Sequence, residues 1–207
     1  MDLSFKPATA ADSDLLADLV LGEPGQETTR VAMCLYGMAD FEKARQLFRM
    51  LWSAAENWKL SELAIVGGEV AGVLQTGRSS TRVTGGVIFA AVRNLGPVAL
   101  LRMPRRLRLQ RRVTPEKPDG ACIVSELHVA PEFRGRGLGQ RMLAHAEEDG
   151  RARGVGVMAL HTLTTNPARR LYERCGYEAA AERTDADFER LTGASGNVLY
   201  VKRLGGG

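Results

Sequence analysis

Ser125-Glu126-Leu127-His128-Val129-Ala130-Pro131-Glu132-Phe133-Arg134-Gly135-Arg136-Gly137-Leu138-Gly139 runs from an apolar strand through a glycine-rich turn into the start of a helix. The first N–H groups of a helix have no partner inside it, and they lie at the positive end of the helix dipole. A strand, a turn and a helix start in this order can therefore hold a pyrophosphate. Glycine lets the anion approach the backbone, and Arg134 and Arg136 add positive charge. The pattern R/Q-x-x-G-x-G/A is expected by chance on the order of 0.2 times in a chain this long, so its context has to decide. Two common nucleotide motifs are absent. Gln140 stands where G-x-G-x-x-G needs its third glycine, and no G-x-x-x-x-G-K-[ST] occurs.

Outward from this stretch the chain reads as one α/β domain over residues 1–204, with 205–207 as a tail. Thr9 and Asp12 form a capping-box pattern after a short opening strand that closes at Lys6-Pro7, and a helical run from Ser13 to Val20 follows. From Phe41 to Ala55 apolar residues recur at helical spacing, predicting an amphipathic helix that stops near Lys59. The runs 63–66 and 70–74 flank Gly67-Gly68-Glu69 as a hairpin. Beyond the quoted stretch come a helix from Leu138 to Arg153, a strand from Val155 to Thr162 and a helix from Pro167 to Arg174. Tyr177-Glu178-Ala179 then begins a strand, and Asn197 to Lys202 supplies the last.

Composition is that of an ordinary globular chain: 207 residues, 44% apolar, 25% charged, net charge +4. Cys34, Cys122 and Cys175 are odd in number and widely spaced, without a C-x-x-C pair. That argues against a disulfide framework or a zinc site and points to a reducing compartment, with cytoplasm as the expectation and no metal required. The first residues lack the basic and apolar regions of a signal peptide. Residues 85–101 are apolar but broken by Arg93, Asn94 and Gly96-Pro97, so no transmembrane segment is expected.

A second passage, Leu160-His161-Thr162-Leu163-Thr164-Thr165-Asn166-Pro167-Ala168-Arg169-Arg170-Leu171-Tyr172-Glu173-Arg174-Cys175-Gly176-Tyr177, gives the first its context. Together they resemble the GNAT superfamily of acetyl-CoA-dependent N-acetyltransferases. In that family R/Q-x-x-G-x-G/A holds the CoA pyrophosphate, and N-x-x-A-x-x-L-Y-E-x-x-G-F/Y lines the pantetheine and the reaction centre. The resemblance is strong over 121–178, extends to the helix and hairpin order of 1–76, and is absent over 78–118. Asn166 lies six residues before Tyr172 where seven is commoner, so Thr165 or Asn166 takes the asparagine-like place.

The resemblance implies a central mixed, mostly antiparallel sheet of six or seven strands with helices on both faces. Residues 78–118 then form a basic helical insertion between the third and fourth strands. It implies acetyl-CoA as acyl donor and a small-molecule or peptide amine as acceptor, attacking the thioester directly through a tetrahedral intermediate without a cysteine adduct. The cofactor-binding set is Leu127, His128, Val129, Arg134, Gly135, Arg136, Gly137, Leu138, Gly139, Asn166 and Arg169, with strand-like hydrogen bonds to pantetheine from Leu127 and Val129. Tyr172 would protonate the departing thiolate. An amine of pKa about 10.4 lies ~3.4 units, or roughly 4.6 kcal/mol, from its nucleophilic form at pH 7, so a lysine-like acceptor needs a base. Glu126, His161 and His128 are the candidates.

The insertion admits a competing class. Eight arginines and no carboxylate fall between Arg82 and Arg112, leaving −4 for the rest of the chain. Such a block suits a nucleic-acid or membrane-binding module, or a non-catalytic acyl-CoA binder carrying one. No aromatic residue interleaves the arginines, so a nucleic-acid stacking platform is not supported. The favoured expectation is a lid or homodimer surface. In that reading Val87, Ile88, Phe89, Val92, Leu95, Val98, Leu100 and Leu101 are buried against the sheet or a second subunit.

Overall fold

The computed structural model describes residues 2–77, 92–93, 95 and 97–205. In chain order the elements are β1 (Leu3–Pro7), α1 (Ser13–Leu21), α2 (Glu27–Tyr36), α3 (Phe41–Ala54), β2 (Ser61–Val66), β3 (Glu69–Gly77) and α4 (Pro97–Val113). They continue as β4 (Cys122–Val129), α5 (Leu138–Ala152), β5 (Val157–Leu163), α6 (Arg169–Arg174), β6 (Glu178–Thr184), α7 (Ala186–Thr192) and β7 (Gly196–Arg203). The strands form one sheet in the order β1-β2-β3-β4-β5-β7-β6. Only β4 and β5 run parallel. The resemblance implies six or seven strands, mostly antiparallel; the sheet has seven, with the helical insertion between β3 and β4.

The parallel junction is short. β4 and β5 pair through Cys122 with Met158 and Ile123 with Ala159, and then separate, while β3 follows β4 all the way to Val129. Gln75 faces Glu126 and Thr76 faces Val124, so Ser125 is an extra residue on β4. A bulge bends and twists its strand, and this one lies where β4 leaves β5.

Alternation along the strands builds a core on each face of the sheet. Ala64, Leu74, Leu138, Met142, Leu143 and Met158 pack beneath α5. Leu63 and Val73 turn to the other face and meet Leu16, Ala17 and Trp52 of α1 and α3. A third cluster joins Val31 of α2, Leu109 and Val113 of α4, Leu163 of β5 and Phe188 of α7.

Two helices escape the sequence pattern. α2 carries its apolar residues among threonines, and α7 is only seven residues long. α7 does have start and stop signals: Asp185 accepts hydrogen bonds from the Asp187 and Phe188 N–H groups, and Gly193 closes it in the left-handed conformation. α3 ends at Ala54 rather than near Lys59, because Glu56 takes φ +52° and a short 3-10 turn follows.

The insertion departs from expectation in its packing. Leu95 is buried, but Val92, Val98 and Leu101 are exposed, Leu101 by 83%. α4 packs through Leu109 and Val113 on α2, α7 and Leu163 of β5, while Val98 and Leu101 lie on its exposed side. Val87, Ile88 and Phe89 lie outside the described residues. No helix among the described residues is long and apolar enough to cross a membrane.

Ion pairs tie α1 to α3. Asp18 accepts from Arg45 Nη2 at 2.9 Å and from Arg49 Nε at 2.9 Å. Desolvation pushes its carboxyl up, but the hydrogen bonds from Arg49 and Arg45 outweigh it and hold the pKa at about 2. The stabilisation is therefore present above the ordinary carboxylate pKa of about 4 and is lost as pH falls toward 2. Asp18→Asn should lower Tm at pH 7, with a difference from wild type that shrinks between pH 4 and 2 by calorimetry. A difference that stays constant with pH would assign the effect to packing.

Candidate active site

Two cavities open along the separation of β4 from β5, and they share Tyr172. The larger, about 450 Å³, is lined by Leu127, His128 and Val129, by Arg134, Gly135, Gly137, Leu138 and Gly139, and by Asn166, Leu171 and Tyr172. The smaller, about 240 Å³, is lined by Ser125, Glu126 and His128 of β4, by His161 and Thr162 of β5, and by Asn166, Tyr172 and Asn197.

Backbone pairing decides what the groove offers. The Ala130 N–H donates to the Ala71 carbonyl while Val129 faces Gly72. Alternation in an antiparallel ladder then directs the backbone groups of Glu126 and His128 to β3, and those of Leu127 and Val129 to the gap. Arg134 Nε donates to the Val129 carbonyl at 3.0 Å, which leaves the Leu127 N–H and C=O and the Val129 N–H facing the groove.

At the end of this edge the turn has Gly135 at φ +74° and Gly137 at φ +75°, a region that side-chain-bearing residues enter at a cost. No heavy atom stands within 4 Å of where their Cβ atoms would be, so the turn is open on that side. No side chain caps α5. The Arg141 N–H returns to the Gly137 carbonyl, so the N–H groups of Leu138, Gly139 and Gln140 form the exposed helix start. A Cβ at Gly139 would stand 2.9 Å from Leu171 Cδ2, and this contact sets α5 against α6. Arg136 lies 5.8 Å from the Phe133 ring, outside the groove lining.

Tyr172 is buried, and burial first, then the Glu126 charge and Tyr200, push its phenol up to about 12. Burial and Glu126 also raise Tyr36 of α2, so the Glu126 carboxylate acts on both phenols. His128 Nε2 and Glu126 Oε2 are 2.9 Å apart, as their shared strand face requires. His161 Nε2 donates to the Pro115 carbonyl at 2.8 Å. A carbonyl only accepts, so the hydrogen sits on Nε2 and, in the neutral ring, Nδ1 carries the lone pair.

Of the two asparagine-like candidates, Asn166 lines both cavities and accepts from the Ala168 N–H at 2.9 Å. Thr165 turns away to Glu27. Arg169 is not directed at the groove: Nε donates to the Tyr200 hydroxyl at 3.0 Å and Nη1 to the Thr164 carbonyl at 2.6 Å. Its guanidinium instead clamps α6 to the neighbouring strand ends. Cys122 is buried in the core, and burial pushes the half-buried Cys175 thiol up. Neither lines either cavity.

The sequence profile of the acetyltransferase (GNAT) family matches residues 44–177. The chain belongs to the GNAT acetyltransferase family. No curated protein sequence matches the chain significantly. Among solved structures, arylalkylamine N-acetyltransferase 2 from Aedes aegypti is similar with TM-score 0.61 and 18% identity, covering 99% of this chain and 100% of that one. An N-acetyltransferase from Staphylococcus aureus Mu50 gives TM-score 0.62 and 14% identity, covering 96% and 100%. The PaiA N-acetyltransferase from Thermoplasma acidophilum, in complex with coenzyme A, gives TM-score 0.55 and 12% identity, covering 98% and 99%. At these identities the likeness is one of fold.

This GNAT site also includes residues that the motifs do not reveal. Thr28 of α2 lines both cavities, Gln140 and Arg174 line the groove, and Asn197 lines the smaller pocket with its amide nitrogen buried and without a partner. Thr28 and Asn197 come from distant parts of the chain, whereas Gln140 directly follows the first motif and Arg174 takes an unspecified position of the second.

Gly137→Glu places a carboxylate at the open helix start and forces a side chain into φ +75°. The strain costs about 1 kcal/mol, or a Tm loss of about 2–4 °C at this length. The variant should fold, while a thermal-shift response to acetyl-CoA should disappear. An undiminished response would place the ligand elsewhere.

Proposed function

We propose that this GNAT protein moves an acetyl group from acetyl-CoA to a primary amine of a small molecule or peptide. The observation that carries the reading is the continuity of the unpaired Leu127–Val129 edge with the uncapped start of α5, a line that ends beside Tyr172. The open edge and the side-chain-free turn suit an extended chain bearing phosphates, and the coenzyme A complex of the similar PaiA structure supports that ligand. Leu127 and Val129 would hold the extended part, and residues 135–140 the phosphates. When bound, acetyl-CoA supplies an activated thioester.

The chain's own groups then divide the proton work. Glu126 accepts the amine proton, with His128 beside it as partner and relay, while His161 offers Nδ1 from the opposite strand. Tyr172 at pKa about 12 is a weaker acid than a thiol of about 8.5 by some 3.5 units, about 5 kcal/mol. It therefore meets the leaving sulfur first as a hydrogen-bond donor. When Glu126 takes a proton it loses the charge that helps raise Tyr172, so the base step makes the phenol a better acid at the moment a proton is needed. The pocket of about 240 Å³ suits a slender amine, and the unpartnered Asn197 amide favours an acceptor carrying a carbonyl or carboxylate near that amine.

A thiol-release assay over an amine panel tests the reading, and no turnover with any acceptor despite acetyl-CoA binding would sink it. Tyr172→Phe should lower kcat by about 10²-fold or more with acetyl-CoA affinity unchanged. Because the phenol stays protonated to about pH 12, wild-type kcat should show no alkaline loss up to about pH 10.5. Glu126→Gln should be most impaired near pH 7 and should recover toward pH 10, where more of the acceptor is already free amine. A defect that is independent of pH would exclude Glu126 as the base.

A further inference from the structure

The cavity between α4 and α7 takes no part in that chemistry. It measures about 430 Å³ and is walled by Arg102, Arg105 and Arg106 of α4 and by Asp187 and Arg190 of α7, over an apolar floor of Leu109 and Leu191. Four guanidinium groups thus converge with one carboxylate. Asp187 is already engaged by Arg190. Among the described residues no ion pair reaches Arg102, Arg105 or Arg106, although Arg112 on the same helix finds Asp185 at 3.6 Å.

Positions 102, 105, 106 and 109 form one stripe at helical spacing, and like charges three or four residues apart repel. A merely solvated helix would let those side chains splay into water. Here they share a concavity, and Arg106 is held in place. Its Nη1 is buried without a hydrogen-bond partner and packs against Gly37 at the C-terminal end of α2, 2.0 Å from where a Cβ would stand. This packing fixes Arg106 at the cavity wall, where four guanidinium groups face one carboxylate, and an anion in the cavity offsets that excess of positive charge. Guanidinium forks match the tetrahedral oxygens of phosphate.

We infer that this cavity is a binding site for a phosphate-bearing anion. The phosphate comes either from a free polyphosphate or from the headgroup of an anionic lipid, since Val98 and Leu101 are exposed on the same helix. The site is separate from the acetyl-CoA groove, so the two are tested apart.

Calorimetric titration with pyrophosphate at constant ionic strength is run on wild type, on the Arg102→Ala/Arg105→Ala double variant and on Gly137→Glu. Gly137→Glu, whose groove is blocked, should bind one pyrophosphate; wild type should bind that one and up to one more in the groove, and the double variant should lose the site that Gly137→Glu keeps, its affinity there falling at least about tenfold. Flotation with phosphatidylcholine vesicles, with and without phosphatidylglycerol, separates the two sources. Retention on phosphatidylglycerol that is lost in the double variant, without heat from pyrophosphate, supports the site with lipid as the source. Three outcomes overturn the proposal: pyrophosphate heat lost in Gly137→Glu but kept in the double variant, equal affinity in all three proteins, or neither heat nor vesicle retention in wild type.

Discussion

The structure turns on the two-residue length of its parallel pairing. Cys122 and Ile123 join β4 to β5, and beyond them the strands diverge. Backbone donors and acceptors inside a protein must be satisfied, yet the separation leaves those of Leu127 and Val129 directed into a groove. One physical condition, a strand edge without its neighbour, thus leaves backbone groups facing the groove that the two cavities share.

Everything that holds the separation open is anchored outside it. The bulge at Ser125 bends β4 while β3 supports it on the other side. On the β5 side α6 is fastened by a polar chain in which Arg169 donates to the Tyr200 hydroxyl, and that hydroxyl donates to Glu173 at 2.7 Å. Leu171 meets the backbone of α5 at Gly139, where no larger residue fits. Tyr172 is therefore presented by a helix fixed at two points, and its burial, the first cause of its raised pKa, follows from that fixation.

The insertion belongs to the same mechanical system. Its helix α4 shares an apolar cluster with α2, α7 and Leu163 at the end of β5, and the chain leaving it supplies the Pro115 carbonyl that orients His161. Leu109 and Leu191 floor the arginine-lined cavity, while Leu163 lines the smaller cavity beside Tyr172. A single apolar layer separates the two.

The local patterns of the chain determined the strand-turn-helix around residues 125–139, the L-Y-E helix, the β2–β3 hairpin and the amphipathic α3, because each rests on periodicity or turn chemistry within about fifteen residues. The two motifs also contain Gly135, Gly137, Leu127, Glu126 and Tyr172, which the structure brings to the lining of the two cavities. α2 lay beyond the local patterns because its apolar residues are spread among threonines. The partner of the Arg169 side chain was not legible, because a motif gives a residue its place but not its partner, and Tyr200, which accepts its hydrogen bond, lies 31 residues away. Thr28, Asn197 and the Pro115–His161 contact likewise depend on elements that meet only through packing. Local sequence thus determined most of the helices and strands and the position of the glycine-rich turn at the start of α5, because those depend on neighbours in the chain. The tertiary structure alone decided which backbone groups remain unpaired, which arginines converge and how Glu126 acts on Tyr172, since those properties arise from distances between residues far apart in the chain.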